Sequence, residues 1–328
     1  MSGAPGHQDD AWRARQGSNI IPIVITDGRW NRPAAGSHVG KVVVVTGAAG
    51  GMGRSVADLL SGRTGHHVLV VDLDGVLAAA TARDLVAAGH EASAFHCDVA
   101  DRESVFAAAN HAMQFGQIEL IVHAAGVAPP AVQDPAAILE VNLFGTIHVL
   151  DAFDPQRTGL RSAVVVASSG AYRSFSHPLD RELAHLAPGD GVIDSLLERA
   201  DVIDRPVAAY ALAKRGCLVQ VARRCVDWGR LGARVNSVSP GLIADTPMGQ
   251  RAAGGVASSM GIDSALGRAG LAREVAEVVT FLCSDRAAYV TGVDVLVDGG
   301  FVARANYDRP ADERADWHAG GVQSHDRD

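Results

Sequence analysis

The chain has 328 residues, 48% hydrophobic and 20% charged, with a formal net charge of −8, a balance that suits one large or two ordinary domains with a sizeable core. No apolar run reaches the roughly 20 residues that a membrane-spanning helix needs, and the interspersed charges offer no basic stripe to phosphates, so neither a membrane nor a nucleic-acid partner is expected. The four cysteines, Cys97, Cys217, Cys225 and Cys283, form no close C-x-x-C pair and fit reduced thiols in a core, so no metal site is expected.

The opening "MSGAPGHQDDAWRARQ" mixes both charges and lacks the apolar middle of a secretory signal, which predicts a cytoplasmic protein with a polar extension over residues 1–39. Within that extension Ile20 to Ile25 could add an edge strand or pack on a neighbour. Then come seven β-rich runs: "KVVVVTG" from Lys41, "HVLVVD" from His67, "ASAFHCD" from Ala92, "LIVHAAG" from Leu120, "SAVVVASS" from Ser162, "ARVNSVSP" from Ala233 and "VDVLVDGG" from Val293. Continuously apolar strands are buried on both faces, the pattern of a parallel sheet. Helix candidates begin between them near Met52, Gly75, Arg102, Pro135, Val207 and Ala272. Regular β-α alternation predicts an α/β chain with a single doubly wound, Rossmann-type domain over residues 40–304 and a mostly parallel seven-stranded sheet. Asp204 can cap the helix near Val207, Pro206 suits its first turn, and Gly229 and Gly232 follow Trp228. The glycine-rich stretch 242–268 shows little periodicity and is expected to be a mobile segment beside a cleft, and residues 305–328 a peripheral tail.

In "VVVVTGAAGGMGRSVADLL", Gly47, Gly51, Met52 and Gly53 lie directly between a buried strand and an amphipathic helix. Glycine there lets backbone approach a ligand, and the helix N-terminus presents unpaired N–H groups and its positive dipole end, so a pyrophosphate is the expected guest. Asp72 ends the second strand where a carboxylate would accept from the adenosine ribose hydroxyls and repel a 2′-phosphate, which favours NAD over NADP. Arg54 works against that preference if it reaches a phosphate and is neutral to it if it faces solvent. Asp98, after the third strand, would sit by the adenine or would simply close a turn.

Near the end of the fifth strand stand Ser168 and Ser169, and Tyr210 and Lys214 lie four apart on one face of a predicted helix. An unperturbed tyrosine has a pKa of about 10, and a nearby cation favours its phenolate. Such a phenol can exchange a proton near neutral pH, as moving a hydride between an alcohol carbon and a nicotinamide requires. A Tyr/Lys pair alone is commonly a surface accident; its place behind the Ser168-Ser169 strand argues for function.

The ordered set Thr46, Gly47, Gly51, Gly53, Asp98-Val99, His123-Ala-Ala-Gly126, Asn142, Ser169, Tyr210 with Lys214, and Pro240-Gly241 closely resembles the short-chain dehydrogenase/reductase family, over about Lys41 to Phe301. The resemblance implies Tyr210 as catalytic acid/base and Lys214 as a cation that also binds the nicotinamide ribose. It implies Ser169, rather than Ser168, as the hydrogen-bond partner of the substrate oxygen, and Asn142 as the holder of a water linking Lys214 to solvent. Cofactor contacts are implied for Val99, Ala125, Gly126, Pro240, Gly241, Ile243 and Thr246 as well, and a homodimer or homotetramer is the family habit. Three departures stand out. His123 replaces a common Asn and reads as support for the sheet. Asp245 holds the place where the family usually has the threonine that contacts the carboxamide, with Thr246 one residue later. Finally, 41 positions separate Ser169 from Tyr210, where the family pattern needs far fewer.

That extra chain, over 173–206, is patterned. Leu179, Leu183 and Leu186 recur at helical spacing, "PGDG" interrupts, and Val192, Ile193, Leu196, Leu197 and Ala200 form a second stripe, predicting two short helices before the catalytic one. Its length, position and the run "AAYALAKRGCLVQVARRCVDWGRLGARVNSVSPG" resemble the bacterial 3α-hydroxysteroid dehydrogenase/carbonyl reductase subgroup. The expected activity is NAD-dependent interconversion of a secondary alcohol and ketone, on a hydroxysteroid or similar apolar cyclic small molecule. A general carbonyl reductase or alicyclic alcohol dehydrogenase is the alternative, and a non-catalytic NAD-binding sensor the rival from another class. The insertion is expected to wall an apolar pocket and to obstruct the helix-to-helix interface by which most family members assemble.

Overall fold

A computed structural model describes residues 40–129, 131–172, 177–187, 189, 191–197, 206–252 and 263–308. The expected Ile20–Ile25 strand, Ala200 and the Asp204 cap lie outside the described residues. The strands are β1 (Lys41–Thr46), β2 (His67–Asp72), β3 (Ala92–His96), β4 (Gln117–His123), β5 (Ser162–Val166), β6 (Arg234–Pro240) and β7 (Asp294–Val297). They form one seven-stranded sheet in the order β3-β2-β1-β4-β5-β6-β7, and every neighbouring pair is parallel. The expectation of a mostly parallel sheet therefore becomes a wholly parallel one.

The chain runs outward from β1 to β3 and returns to β4 on the other side of β1. Successive connections thus depart in opposite directions from β1 and β4, opening a crevice at their carboxyl ends, the place where such sheets bind ligands. Alternation along β1 feeds two cores. Val43 and Val45 enter one layer with helices α1 (Gly51–Thr64), α2 (Gly75–Ala87) and a later helix, Ala272–Cys283, whereas Val42 and Val44 enter the opposite layer with α3 (Arg102–Ala112). Asp74 and Asp101 cap α2 and α3 by accepting from amides of their first turns, each such cap contributing about 1 kcal/mol.

After β4 come α4 (Pro135–Leu139), a π-helical turn (Glu140–Phe144) and α5 (Gly145–Ala152), then the short α6 (Pro155–Thr158). Two short helices follow β5 as the leucine spacing predicts: α7 (His177–His185) and α8 (Val192–Leu197). Their Leu179, Leu183 and Leu196 are buried with Ile138, Leu139, Leu143 and Phe144 and with Ala209, Leu212 and Ala213. These alanines belong to α9 (Pro206–Arg230), the long helix of Tyr210, which Pro206 opens. The insertion is thus a folded layer over α4 and α9.

Part of the glycine-rich segment is also folded. It contains α10 (Pro247–Ala252) and a parallel bridge between Ile243 and Gly270, and Ser264 Oγ donates to Arg268 O at 3.1 Å; residues 253–262 of the expected mobile stretch lie outside the described residues. Helix α11 (Ala272–Cys283) follows, and α12 (Phe301–Tyr307) carries the fold past the expected limit at residue 304. Among the described residues no helix is long and apolar enough to cross a membrane.

Candidate active site

The crevice floor is built from missing side chains. Gly47 turns with φ +67°, and a Cβ on it would lie 2.6 Å from the Ala125 amide nitrogen; one on Gly53 would lie 2.2 Å from the Gly47 carbonyl oxygen. Both opposing atoms are backbone and cannot swing aside, so only glycine lets β1, the loop and α1 pack this closely. Gly50, extended and without a side-chain cap, precedes the helix, leaving first-turn N–H groups of α1 open to an anion. Met52 follows in the first turn and packs partly against the core. These features fit a dinucleotide pyrophosphate by shape and by charge.

Asp72 closes one side. Its Oδ2 accepts from the Ala49 amide at 2.9 Å and its Oδ1 from the Asp74 amide at 3.0 Å, so the carboxylate is fixed against the loop with lone pairs to spare. Arg54 lies elsewhere: its guanidinium pairs with Asp58 at 3.0 Å and, across to α2, with Asp84 at 3.1 Å. Asp98 accepts from the Ala100 amide at 2.9 Å, forming the turn that its position allowed. The Val99 side chain packs on Gly145, and its carbonyl oxygen accepts from His148 Nδ1 at 3.1 Å.

On the other side of the cradle, Pro240 ends β6 and the Gly241 amide donates to Val297 O at 3.0 Å. Asp245 and Thr246 are engaged by different hydrogen bonds. Asp245 Oδ1 accepts from the Ala272 amide at 2.7 Å, turning it toward the start of α11. Thr246 donates to Ile243 O and accepts from the Gly249 amide, both at 3.0 Å, capping α10. Its Cβ would be 3.6 Å from a Cβ built on Gly51. Thr246, not Asp245, therefore faces the glycine loop.

The catalytic candidates converge at the carboxyl ends of β4 and β5. Asn142 lies in the π turn, fully buried, its Nδ2 donating to Val127 O at 2.9 Å and Ile138 O at 3.0 Å and its Oδ1 accepting from the Val127 amide at 3.2 Å. Single π turns inserted in helices recur at functional sites. Lys214 is buried, its Nζ donating to Val166 O at 3.1 Å and sitting 5.8 Å from the centre of the Tyr210 ring. A Cβ on Gly126 would fall 2.7 Å from Asn142 Oδ1 and 3.3 Å from Lys214 Nζ, so the two polar heads meet across that glycine. Ala125, next to it, donates its amide to Thr46 Oγ1 at 3.3 Å.

Ser169 opens a 3-10 turn, Ser169–Tyr172, directly after β5. A Cβ on Gly170 would lie 3.6 Å from Tyr210 Cε1, so the turn rests against the tyrosine despite the intervening insertion. Ser168 accepts from the Gly170 amide at 3.1 Å, which commits that hydroxyl to the turn and separates its role from that of Ser169. His123 Nδ1 and Thr46 Oγ1 lie 2.7 Å apart, joining β4 to β1. Burial, with a smaller contribution from the charge of Lys214, pushes His123 down to about 3, so the ring is neutral at physiological pH. The sequence reading missed the π turn and the role of Gly126 between Asn142 and Lys214; neither leaves a local signature in the residue pattern.

Family models agree with this geometry. Residues 41–177 match the model described as short chain dehydrogenase, and residues 186–302 match the one described as Enoyl-(Acyl carrier protein) reductase. The chain belongs to the short-chain dehydrogenase/reductase family. This dehydrogenase/reductase chain is similar to cis-4-hydroxycyclohexanecarboxylate dehydrogenase of Sinomonas cyclohexanicum, 33% identical over 80% of this chain and 97% of that protein. It is also similar to D-threitol dehydrogenase of Mycolicibacterium smegmatis, 32% identical over 81% of this chain and 94% of that one. A solved short-chain type dehydrogenase/reductase from Mycobacterium ulcerans shares the fold, with 24% identity, a TM-score of 0.64, and coverage of 81% of this chain and 90% of that one.

Proposed function

We propose that this protein binds NAD and interconverts a secondary alcohol and its ketone on an apolar cyclic substrate of the hydroxysteroid kind. The observation that carries this reading is the meeting of Tyr210, Lys214 and Asn142, with the turn that Ser169 opens resting on the Tyr210 ring, beside a cradle that a Cβ would fill. Gly47, Gly51 and Gly53 would hold the pyrophosphate with the amides of α1, and Asp72 the adenosine ribose. Arg54, committed to Asp58 and Asp84, is not directed to a 2′-phosphate, which supports NAD over NADP. Asp98, Val99, Ala125, Gly126, Pro240, Gly241, Ile243 and Thr246 would line the remainder.

When bound, the cofactor supplies the hydride acceptor or donor. Ser169 donates a hydrogen bond to the substrate oxygen and orients it toward Tyr210. In oxidation the Tyr210 oxygen takes the hydroxyl proton, and in reduction it returns one. Lys214 places its amino group beside that phenol and would bind the nicotinamide ribose, and Asn142 fixes the π turn that closes the back of the site. Support for the substrate class comes from the ring-bearing substrate in the name of the Sinomonas relative; the leucines of α7 and α8 are taken up by the core against α4 and α9. The insertion layer covers α4 and α9, so assembly as a homodimer or homotetramer would use other faces.

The test is cofactor reduction, followed by absorbance, with NAD and with NADP on 3α-hydroxysteroids and simple cyclic alcohols. Turnover of a steroid with NAD, abolished in Tyr210→Phe, is expected. Turnover restricted to small cyclic alcohols would overturn the substrate class alone, and preference for NADP would overturn the cofactor.

A further inference from the structure

We propose that Tyr172 is a positioning residue for Ser169: its phenol donates to Asp294 Oδ2 at 2.6 Å and thereby ties the serine-bearing turn to the edge strand β7. This rests on the reading of Ser169 as the group that holds the substrate oxygen.

The turn leans on the Tyr210 ring at Gly170 and buries Ala171, whereas Tyr172 at its far end is only partly buried. This turn is a four-residue 3-10 segment, held internally by the Ala171 amide on Ser168 O at 2.9 Å and the Gly170 amide on Ser168 Oγ at 3.1 Å. Short 3-10 runs have poor hydrogen-bond geometry and depend on outside contacts. Beyond Tyr172 the chain departs for the insertion instead of entering the catalytic helix, so the far end of the turn needs its own anchor. Asp294 is that anchor. Its other oxygen, Oδ1, is buried without a hydrogen-bond donor among the described residues, which leaves the phenol bond as its described attachment.

The anchor is also placed to feel the insertion. Arg215, immediately after Lys214, holds Asp180 of α7 with contacts of 2.9 and 2.5 Å. The hydrogen bond to Asp180 is the largest influence on that guanidinium, and the Asp294 carboxylate acts on it through its charge as well. Insertion helix, catalytic helix, serine turn and edge strand therefore share one polar cluster. Burial and the Asp294 carboxylate push the Tyr172 phenol up, so it remains a donor and takes no proton-transfer role of its own. Since Gly170 abuts the Tyr210 ring, a turn released from Asp294 shifts Ser169 relative to Tyr210, and displacements of about 1 Å in such sites cost up to about a hundredfold in rate.

The experiment uses the full-length protein and an alcohol it turns over. Tyr172→Phe is expected to lower kcat by about tenfold, to leave NAD affinity by calorimetry unchanged, and to speed hydrogen exchange at amides 166–172. Asp294→Ala should reproduce the loss, and Asp294→Asn, which keeps an acceptor, should recover most of it. In a Ser169→Ala background, Tyr172→Phe should add almost nothing. An unchanged kcat, or the same fold-loss with and without Ser169, overturns the proposal. Should the wild-type protein oxidise no alcohol, the proposed activity fails, and exchange alone decides the tether: acceleration confined to 166–172 supports it, and none there overturns it.

Discussion

The two halves of the crevice are specified in opposite ways. On the β1 side, the cradle exists because side chains are missing: Gly47 and Gly53 face backbone atoms at 2.6 and 2.2 Å from where a Cβ would stand. On the β5 side, the site exists because particular heads are present, Ser169, Tyr210 and Lys214, held by elements distant in sequence. Binding geometry is thus set by close backbone approach, within the β1-loop-α1 unit at Gly53 and against the Ala125 backbone beyond β4 at Gly47, whereas the proposed proton-handling group depends on packing that brings β5, the π turn and α9 together. Damage to the first should cost fold and cofactor affinity; damage to the second should cost turnover.

Tyr210→Phe makes the sharpest cut between them. Removing the group proposed to exchange the substrate proton should lower kcat by about 10³-fold, roughly 4 kcal/mol, with cofactor affinity and melting temperature near wild type. Steady-state kinetics and calorimetry on the same preparation check both parts. A variant that also loses cofactor binding would show that the two halves are not separable. Gly53→Ala is the converse. The new methyl meets the Gly47 carbonyl, which cannot rotate away, so a loss of about 3 kcal/mol in stability is expected, with cofactor affinity falling in parallel. Urea unfolding with and without NAD measures each.

How legible this was in the sequence follows the same division. The seven strands, the glycine loop and the Tyr210/Lys214 spacing were readable because each is a periodicity or motif within about 20 residues, and the insertion helices because Leu179, Leu183 and Leu186 keep a helical interval. What escaped depends on distant partners. No local pattern foretells the π turn at Asn142. That Thr246 and not Asp245 faces the glycine loop needed the start of α11, whose Ala272 amide draws Asp245 away. Arg54 was ambiguous until Asp84 was found opposite it, and Tyr172 finds Asp294 across 122 positions.

His123 joins the two halves, and it should make them lose stability together in acid. Burial holds the folded ring down to about 3 and His67 to about 4, whereas an unfolded histidine titrates near 6.5. Below that value the unfolded chain takes up protons that these folded rings refuse, so stability is complete above about pH 6.5 and falls as pH drops toward the folded values. Each ring should cost about 2 kcal/mol between pH 6.5 and 5. His123→Asn keeps a polar side chain for Thr46 and removes the proton, so its stability should fall less steeply over this window, by about 1.4 kcal/mol per pH unit. Urea midpoints across the window provide the test; an unchanged slope would show that His123 does not set it.

The smallest effect is expected where the insertion meets α9 through charge. Arg215 and Asp180 form a two-pronged pair, but both side chains keep some exposure, at 31% and 20%, so solvent screens the attraction and the ordering of two long groups offsets part of it. The charge of the Asp294 carboxylate also favours the guanidinium, which offsets part of the loss when Asp180 is removed. Asp180→Ala should therefore cost only about 1 kcal/mol, while Leu183→Ala, fully buried in the same layer, should cost about 3 kcal/mol. That order follows if apolar burial holds the insertion to the catalytic helix and the ion pair only sets its register. The reverse order in urea unfolding would mean that charge holds the layer in place, and a shift to high salt would then release α7 from α9.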